Sequence, residues 1–204
     1  MEKIDFKKEY STLYKASAKE IQFVDVPKLN YIMVDGYGNP NNSVMFNNAV
    51  EALYSVSYTL KFMIKKGEQH IDYGVMPLEG LWWTDNMKEF SMENKSEWKW
   101  TLMVLQPDFI THDLFEKAKE QAGKKKELPL LKELRLETME EGPCAQILYV
   151  GPYDDEPPTI ARLHDFIKEN GYKLHGKHRE IYLNDARRTA PERLKTIIRQ
   201  PVRK

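Results

Sequence analysis

The stretch Gln146-Ile-Leu-Tyr-Val-Gly151 has a counterpart early in the chain, Tyr31-Ile-Met-Val-Asp-Gly36. The isoleucine, the apolar residue after it and the terminal glycine match at one constant offset. Each stretch reads as a strand that ends at its glycine, followed by a Pro/Asn/Asp-rich loop, a helix and two more strands. Because internal repetition sets the architecture, the sequence predicts two copies of one strand-helix-strand-strand unit.

The repeat predicts a single α+β domain over residues 1–204, with halves at about 20–110 and 130–204 and no linker between them. We expect an antiparallel sheet with pseudo-twofold symmetry, helices on one face and a ligand cleft on the other. The clearest helix is 44–66, where apolar residues recur at three- and four-residue spacing before Gly67.

The remaining elements are predicted from local signals. Residues 1–20 read as a short lead-in helix, and 159–170 as a helix that Thr159 caps. The last strand is expected at 193–199, because Pro201 cannot donate to a strand ladder.

The composition bounds the class of protein. The chain has 204 residues, with 31 Lys and Arg against 31 Asp and Glu and a formal net charge of zero. Nucleic-acid binders usually carry a basic excess, so we expect no nucleic-acid partner. The single cysteine, Cys144, indicates a reducing compartment. With no apolar leader and no long apolar window, we expect a cytoplasmic protein without a membrane span, whose oligomeric state the sequence does not set.

Two carboxylates are candidate site residues. Glu180 lies within a strand that reads His178-Arg-Glu-Ile-Tyr-Leu183, where alternation puts it on the face opposite Ile181. A carboxylate in an apolar setting can bind a cation or transfer a proton; the alternative is a solvated residue paired with a nearby arginine. Glu79, in the matching position of the first half, is expected to face Glu180 across the cleft, or else to cap a turn at Gly80.

Aromatic side chains crowd the same strands and loops, which suits flat hydrophobic or delocalised cationic ligands. They are Trp82, Trp83, Trp98, Trp100, Tyr37, Tyr149, Tyr153 and Tyr182. For any single ring, ordinary core packing is the alternative. The histidines near 175–178 lack partners for a zinc site, so we expect no metal and no cofactor. Residues 154–156 read as a solvated acidic loop.

At these motifs the sequence resembles the GyrI-like small-molecule-binding proteins, relatives of the effector domains of multidrug-sensing activators. The likeness covers about residues 20–204. The motifs that carry it are Pro77-Leu-Glu-Gly-Leu-Trp-Trp83, Trp98-Lys-Trp-Thr-Leu-Met-Val-Leu-Gln-Pro107, Leu148-Tyr-Val-Gly-Pro-Tyr153, Glu180-Ile-Tyr-Leu183 and the tail from Asp185 to Pro201. The resemblance implies tandem units around an aromatic cleft with a glutamate at its base, and Glu180 stands at that position.

The resemblance also implies an activity. In the sensors the glutamate pairs with lipophilic cations, and some stand-alone members hydrolyse cyclopropane-bearing DNA-alkylating compounds. We therefore expect a detoxifying hydrolase, with Glu180 as general base, Glu79 sharing that role, and Tyr149 or Tyr182 donating a hydrogen bond to the developing oxyanion. Two alternatives stay open: a module that only sequesters its ligand, and a regulator of a protein partner such as gyrase.

Overall fold

The computed structural model describes residues 1–85 and 92–204, and in that part of the chain helices pack on one large sheet. The helices are α1 (Phe6–Glu9), α2 (Ser11–Tyr14), α3 (Val44–Lys66), α4 (His112–Lys125) and α5 (Pro157–Glu169). The strands are β1 (Glu2–Ile4), β2 (Gln22–Val26), β3 (Leu29–Tyr37), β4 (Ile71–Tyr73), β5 (Leu78–Trp83), β6 (Lys99–Gln106), β7 (Arg135–Met139), β8 (Gly142–Val150), β9 (Lys173–Leu174), β10 (His178–Tyr182) and β11 (Lys195–Arg203).

Helix α3 forms where the sequence pattern predicts it. The Ser43 side chain accepts a hydrogen bond from the amide of Phe46 at 3.1 Å and so caps the first turn. Side chains such as Leu53 and Leu60, spaced for one helix face, are fully buried. Gly67 ends the helix, and its amide donates to the carbonyl of Met63. The predicted bounds of 44–66 are confirmed.

The large sheet is antiparallel, with the strand order β2-β8-β11-β10-β5-β6-β3-β7. Strand β9 pairs with the end of β11, and β1 and β4 form a separate parallel pair. The pairing of β5 with β10 joins the strands of the first half to those of the second. The predicted α+β class with a large antiparallel sheet is confirmed, while the pseudo-twofold relation between the halves stays a prediction.

The strand register decides which face carries Glu180. In β10 it lies opposite Gly80 of β5 on one side and Ile198 of β11 on the other, so the three share one face. Helix α5 packs on that face, because Leu163 and Ile198 belong to one buried cluster. Helix α3 packs there too, at the distant β6, where Gln106 hydrogen bonds to Ser57. Glu180 therefore lies on the helix-covered face, between α3 and α5, and not on a face free of helices.

Three local expectations differ from the structure. Helix α5 begins at Pro157, and its N-cap residue is Glu156, three residues before the predicted cap at Thr159. Strand β11 runs through Pro201 to Arg203, because the prolyl carbonyl still accepts a hydrogen bond from His175. The first residues form β1 and two four-residue helices instead of one lead-in helix. Among the described helices none is both long and apolar enough to span a membrane.

Candidate active site

Glu180 is a mostly buried carboxylate with hydrogen-bond donors on both oxygens. Its side chain is 14% exposed. Oε1 lies 3.0 Å from Nε2 of His178, and the hydroxyl of Tyr182 donates to Oε2 at 2.6 Å. Burial alone raises the pKa of a carboxyl group, but the hydrogen bonds from His178 and Tyr182 stabilise the charged form and bring the pKa of Glu180 below its ordinary value. The arrangement keeps a negative charge within the protein at neutral pH.

An indole completes a hydrogen-bonded chain to this carboxylate. Nε1 of Trp82 donates to the hydroxyl of Tyr182 at 3.1 Å, and that hydroxyl donates onward to Glu180. The indole lies over Gly80, where a Cβ atom would come within 2.6 Å of Nε1. Glycine at this position thus allows the ring to reach Tyr182.

The rings around Glu180 pack against one another. Trp82 contacts Trp98 edge-on with centroids 5.4 Å apart and stacks on Phe46 at 6.2 Å. Tyr153 meets Tyr182 at 5.7 Å. We call this set, with Trp100 beside Phe46, the aromatic cluster: Phe46, Trp82, Trp98, Trp100, Tyr153 and Tyr182. Trp82, Trp98 and Trp100 are buried, so the rings occupy space that a ligand at Glu180 would need.

A second carboxyl group, Glu156, belongs to the site and was missed by the sequence reading, which took residues 154–156 as a solvated loop. Glu156 is only 2% exposed and its carboxyl group is a hydrogen-bond partner of Glu180. Burial, and next the charge of Glu180, raise the pKa of Glu156 to about 10. Two adjacent buried carboxyl groups cannot both ionise readily, so Glu156 holds a proton while Glu180 is charged. The sequence did contain a signal for this position: Pro157 follows Glu156 directly, and proline is favoured as the first residue of a helix.

Several buried polar atoms on this sheet face have no hydrogen-bond partner among the described residues. They are Oε1 of Glu156, Oγ1 of Thr196, Nε2 of His164 and Nε1 of Trp100. Burial, with the nearby His178 as the next cause, lowers the pKa of His164 to about 4, so its ring is neutral. Buried polar groups are nearly always paired with protein or water. These four atoms are therefore available to pair with water or with polar atoms of a ligand.

Glu79 does not face Glu180. It lies opposite Ile181 in the register and so points to the other face of the sheet. There it is fully buried in an ion pair with Arg179, whose Nε is 2.9 Å from Oε2, and Tyr14 donates to its other oxygen. A shift of one residue in register would reverse its face, and the sequence alone did not fix that register.

The other aromatic candidates lie apart from the cluster. Trp83 points to the opposite face from Trp82, with the ammonium of Lys177 3.3 Å from its ring centroid. Tyr37 is 70% exposed. The hydroxyl of Tyr149 donates to the carbonyl of Pro152 at 2.9 Å across the turn at Gly151. Of the predicted site residues, the structure brings together Glu180, Tyr182, Trp82, Trp100 and Tyr153.

A concavity of about 470 Å³ lies elsewhere, between the N-terminal segment and α3. Its lining includes Lys3, Phe6, Lys61 and Tyr73. In the described part of the chain no group of three His, Cys, Asp or Glu side chains is placed to hold a metal ion.

Comparison with known proteins identifies relatives of the whole chain. An uncharacterized conserved protein from Listeria innocua is 40% identical, with a TM-score of 0.90 over 98% of this chain and 100% of that one. A hydrolase encoded by lin2189 of Listeria innocua is 39% identical, with a TM-score of 0.89 over 99% and 100% of the two chains. The EcmrR C-terminal domain, 15% identical with a TM-score of 0.57 over 91% and 98%, shares the fold alone. No curated protein sequence matches.

The comparison with protein families covers nearly the full length. Residues 19–203 match the GyrI-like small molecule binding domain. The match includes the strands that carry Glu180, Trp82 and Trp100 as well as the turn that carries Glu156. This chain belongs to the family of GyrI-like small molecule binding domains.

Proposed function

We propose that this protein is a hydrolase that binds a flat, hydrophobic small molecule against the aromatic cluster and opens a strained cyclopropane ring with water. The observation that carries the proposal is Glu180: a carboxylate kept ionised while mostly buried among aromatic rings. Such a group is costly to maintain in a purely structural role and suits proton abstraction.

In the proposed mechanism Glu180 is the general base. Water bound between Glu180 and the ligand loses a proton to the carboxylate as its oxygen attacks a ring carbon. The rings of Trp82 and Tyr182 hold the flat body of the ligand, so that the strained bond faces the water. His178 and Tyr182, which donate to Glu180, fix the carboxylate in place. Glu79, Trp83 and Tyr37 have no part in it, since their contacts lie elsewhere, and the hydroxyl of Tyr149 is engaged by the carbonyl of Pro152.

The relatives support a hydrolase. The lin2189 protein, which carries that description, is 39% identical over essentially the whole of both chains. Similarity at this level over full length is the ground for proposing the same class of reaction for this chain. The choice of a cyclopropane substrate rests on the sequence resemblance to stand-alone GyrI-like hydrolases.

Turnover of a cyclopropane-bearing alkylator tests the proposal. Wild type should convert a molar excess of the compound, and Glu180→Gln should lose about a hundredfold to ten-thousandfold in rate, because an amide cannot take the proton. Glu169→Gln, an exposed carboxylate at the end of α5, is the matched control and should match wild type. Equal rates in wild type and Glu180→Gln would remove Glu180 from the mechanism.

One observation favours a second function, the capture of lipophilic cations without chemistry. A single ionised carboxylate inside an aromatic cluster provides both a counter-charge and cation–π surfaces. In that case conversion in the assay above would be absent, and a flat cationic dye would bind at one equivalent. Glu180→Gln would then lower the affinity for the cationic dye and leave the affinity for a neutral dye of the same shape unchanged.

A further inference from the structure

The carboxyl group of Glu156 lies against Glu180, and the hydrolysis proposed above assigns no task to it. Building on that proposed function, we infer that Glu156 is a second catalytic residue, the general acid that gives a proton to the oxygen on which charge develops as the ring opens.

The backbone holds Glu156 firmly at the start of α5. Its amide donates to the carbonyl of Tyr153 at 3.2 Å, and its carbonyl accepts from the amides of Thr159 and Ile160 at 2.9 and 3.1 Å. Pro157 follows as the first helical residue. The ring contact between Tyr153 and Tyr182 sets the turn above β10. These contacts fix the position from which the side chain reaches Glu180.

The side chain of Glu156 does not cap helix α5, although Glu156 is the N-cap residue. A carboxylate at a helix N-terminus ordinarily gains from the helix dipole and can accept hydrogen bonds from the first helical amides. Glu156 makes no such cap hydrogen bond, and its carboxyl group is directed toward Glu180. No donor from another described residue reaches its Oε1. A carboxyl group that carries its own proton accounts for both facts, because it can donate to Glu180.

The charges around Glu156 favour that protonated form. The titratable and charged groups that face it are Glu180, Tyr182, Tyr153, Tyr149 and Lys95. The Thr196 hydroxyl and the charge of Lys95 oppose protonation, and burial and the Glu180 charge outweigh both. The pair therefore shares one proton across neutral pH. The surroundings favour the ionised form of Glu180, the base, and the protonated form of Glu156, the acid.

In the proposed ring-opening step the two carboxyl groups account for every proton that moves. The substrate is a cyclopropane conjugated to a carbonyl group. The water oxygen bonds to a ring carbon, one ring C–C bond breaks, and its electron pair moves to the carbonyl oxygen. Glu180 takes the water proton while Glu156 gives its proton to that oxygen. After product release, the proton on Glu180 passes to Glu156 through their hydrogen bond, which restores the resting pair.

Glu156→Gln tests the role, because an amide fills the same space and still donates to Glu180 but has no acidic proton. The readout is hydrolysis of two cyclopropyl ketones that differ in how acidic their ring-opened products are. On the less activated ketone the variant should lose roughly a hundredfold or more. On the more activated ketone, whose ring opening needs less help from an acid, the rate of the variant should fall by about tenfold or less. Glu180→Gln should lose activity on both.

Two outcomes would overturn the inference while the proposed hydrolase stands. One is an equal loss, or no loss, on both ketones in Glu156→Gln when wild type turns over. The other is the absence, in the infrared spectrum of ¹³C-glutamate-labelled wild type at pH 7, of a protonated carboxyl band that Glu156→Gln removes. That second measurement uses the native protein and does not depend on how the variant folds. Absence of turnover in wild type would instead overturn the proposed function, and the acid role with it.

Discussion

At the scale of single residues, glycines are as informative as the polar groups of the site. Gly80 lies opposite Glu180 and beneath Trp82, and Gly36 lies beneath Trp100. A Cβ at Gly36 would come within 2.0 Å of the Trp100 ring. Each indole thus lies flat over a glycine on the face that carries Glu180. The rings have their positions because the strand beneath them has no side chain at that point.

Replacement of Gly80 by alanine should therefore damage the site locally. The new methyl group would approach Nε1 of Trp82 at 2.6 Å and push the indole away from Tyr182. Overpacking of this kind costs about 1–3 kcal/mol, and tryptophan fluorescence should change. Gly74→Ala is the control, since a Cβ there meets nothing within 4 Å, and it should stay within about 0.5 kcal/mol of wild type. Denaturant melts that give equal stability for both variants would contradict this packing account.

At the scale of elements, strand β10 carries a different kind of charged group on each of its two faces. Glu180 faces the helices and the aromatic cluster. Arg179 faces the other way, fully buried, and bonds to Glu79, to Glu141 and to the hydroxyl of Tyr31. Residues 1–18, which precede the family-matched region, complete that second face, where Leu13 accepts from Arg199 through its carbonyl.

The same Glu-to-Gln substitution should destabilise the protein to very different extents on the two faces of β10. Glu79→Gln removes the fully buried one of the two carboxylates that pair with Arg179, and breaking a buried ion pair on one side costs about 3 kcal/mol or more. Glu180→Gln replaces a carboxylate that has no arginine or lysine partner among the described residues and keeps a neutral acceptor for Tyr182, so it should cost about 1 kcal/mol or less. Urea unfolding of the two variants makes the comparison. A Glu79→Gln protein as stable as wild type would show that the ion pair contributes little.

The sequence predicted the elements better than it predicted their faces. Helix α3 was found to its last residue because its apolar spacing, its Ser43 cap and Gly67 agree. The alternation in β10 correctly separated Glu180 from Ile181. Which side chains of neighbouring strands share a face depends on the strand register, which is a tertiary property. Glu79 was therefore expected on the face of Glu180, but it lies on the opposite face. Glu156 was missed because an acidic residue beside Asp154 and Asp155 looks solvated until the helix is docked on the sheet.

At the scale of the whole molecule, the strand pairings between the two halves are joined by a contact between side chains outside the sheet. The turn Met92–Glu97 comes from the connection between β5 and β6, and its Lys95 donates to Asp154 at 2.7 Å. Lys95 also lies 5.8 Å from the ring centroid of Trp98, which packs on Trp82. A series of contacts thus runs from an exposed carboxylate in the second half to the buried rings of the first.

Because the tryptophans of the aromatic cluster are buried, we expect a ligand to displace these contacts on its way to Glu180, and Asp154→Asn should make that easier. The ion pair is largely exposed on the Asp154 side, at 77%, so its loss should change stability by about 1 kcal/mol or less. The association rate of a flat neutral dye, followed by stopped-flow quenching of tryptophan fluorescence, should rise severalfold. Asp155→Asn removes a like charge one residue away, where the described residues place no ion-pair partner, and should leave the rate unchanged. High salt should bring wild type toward the Asp154→Asn rate, because it screens exposed pairs. If both variants bind the dye at the wild-type rate, opening of the cluster does not depend on the Lys95–Asp154 contact.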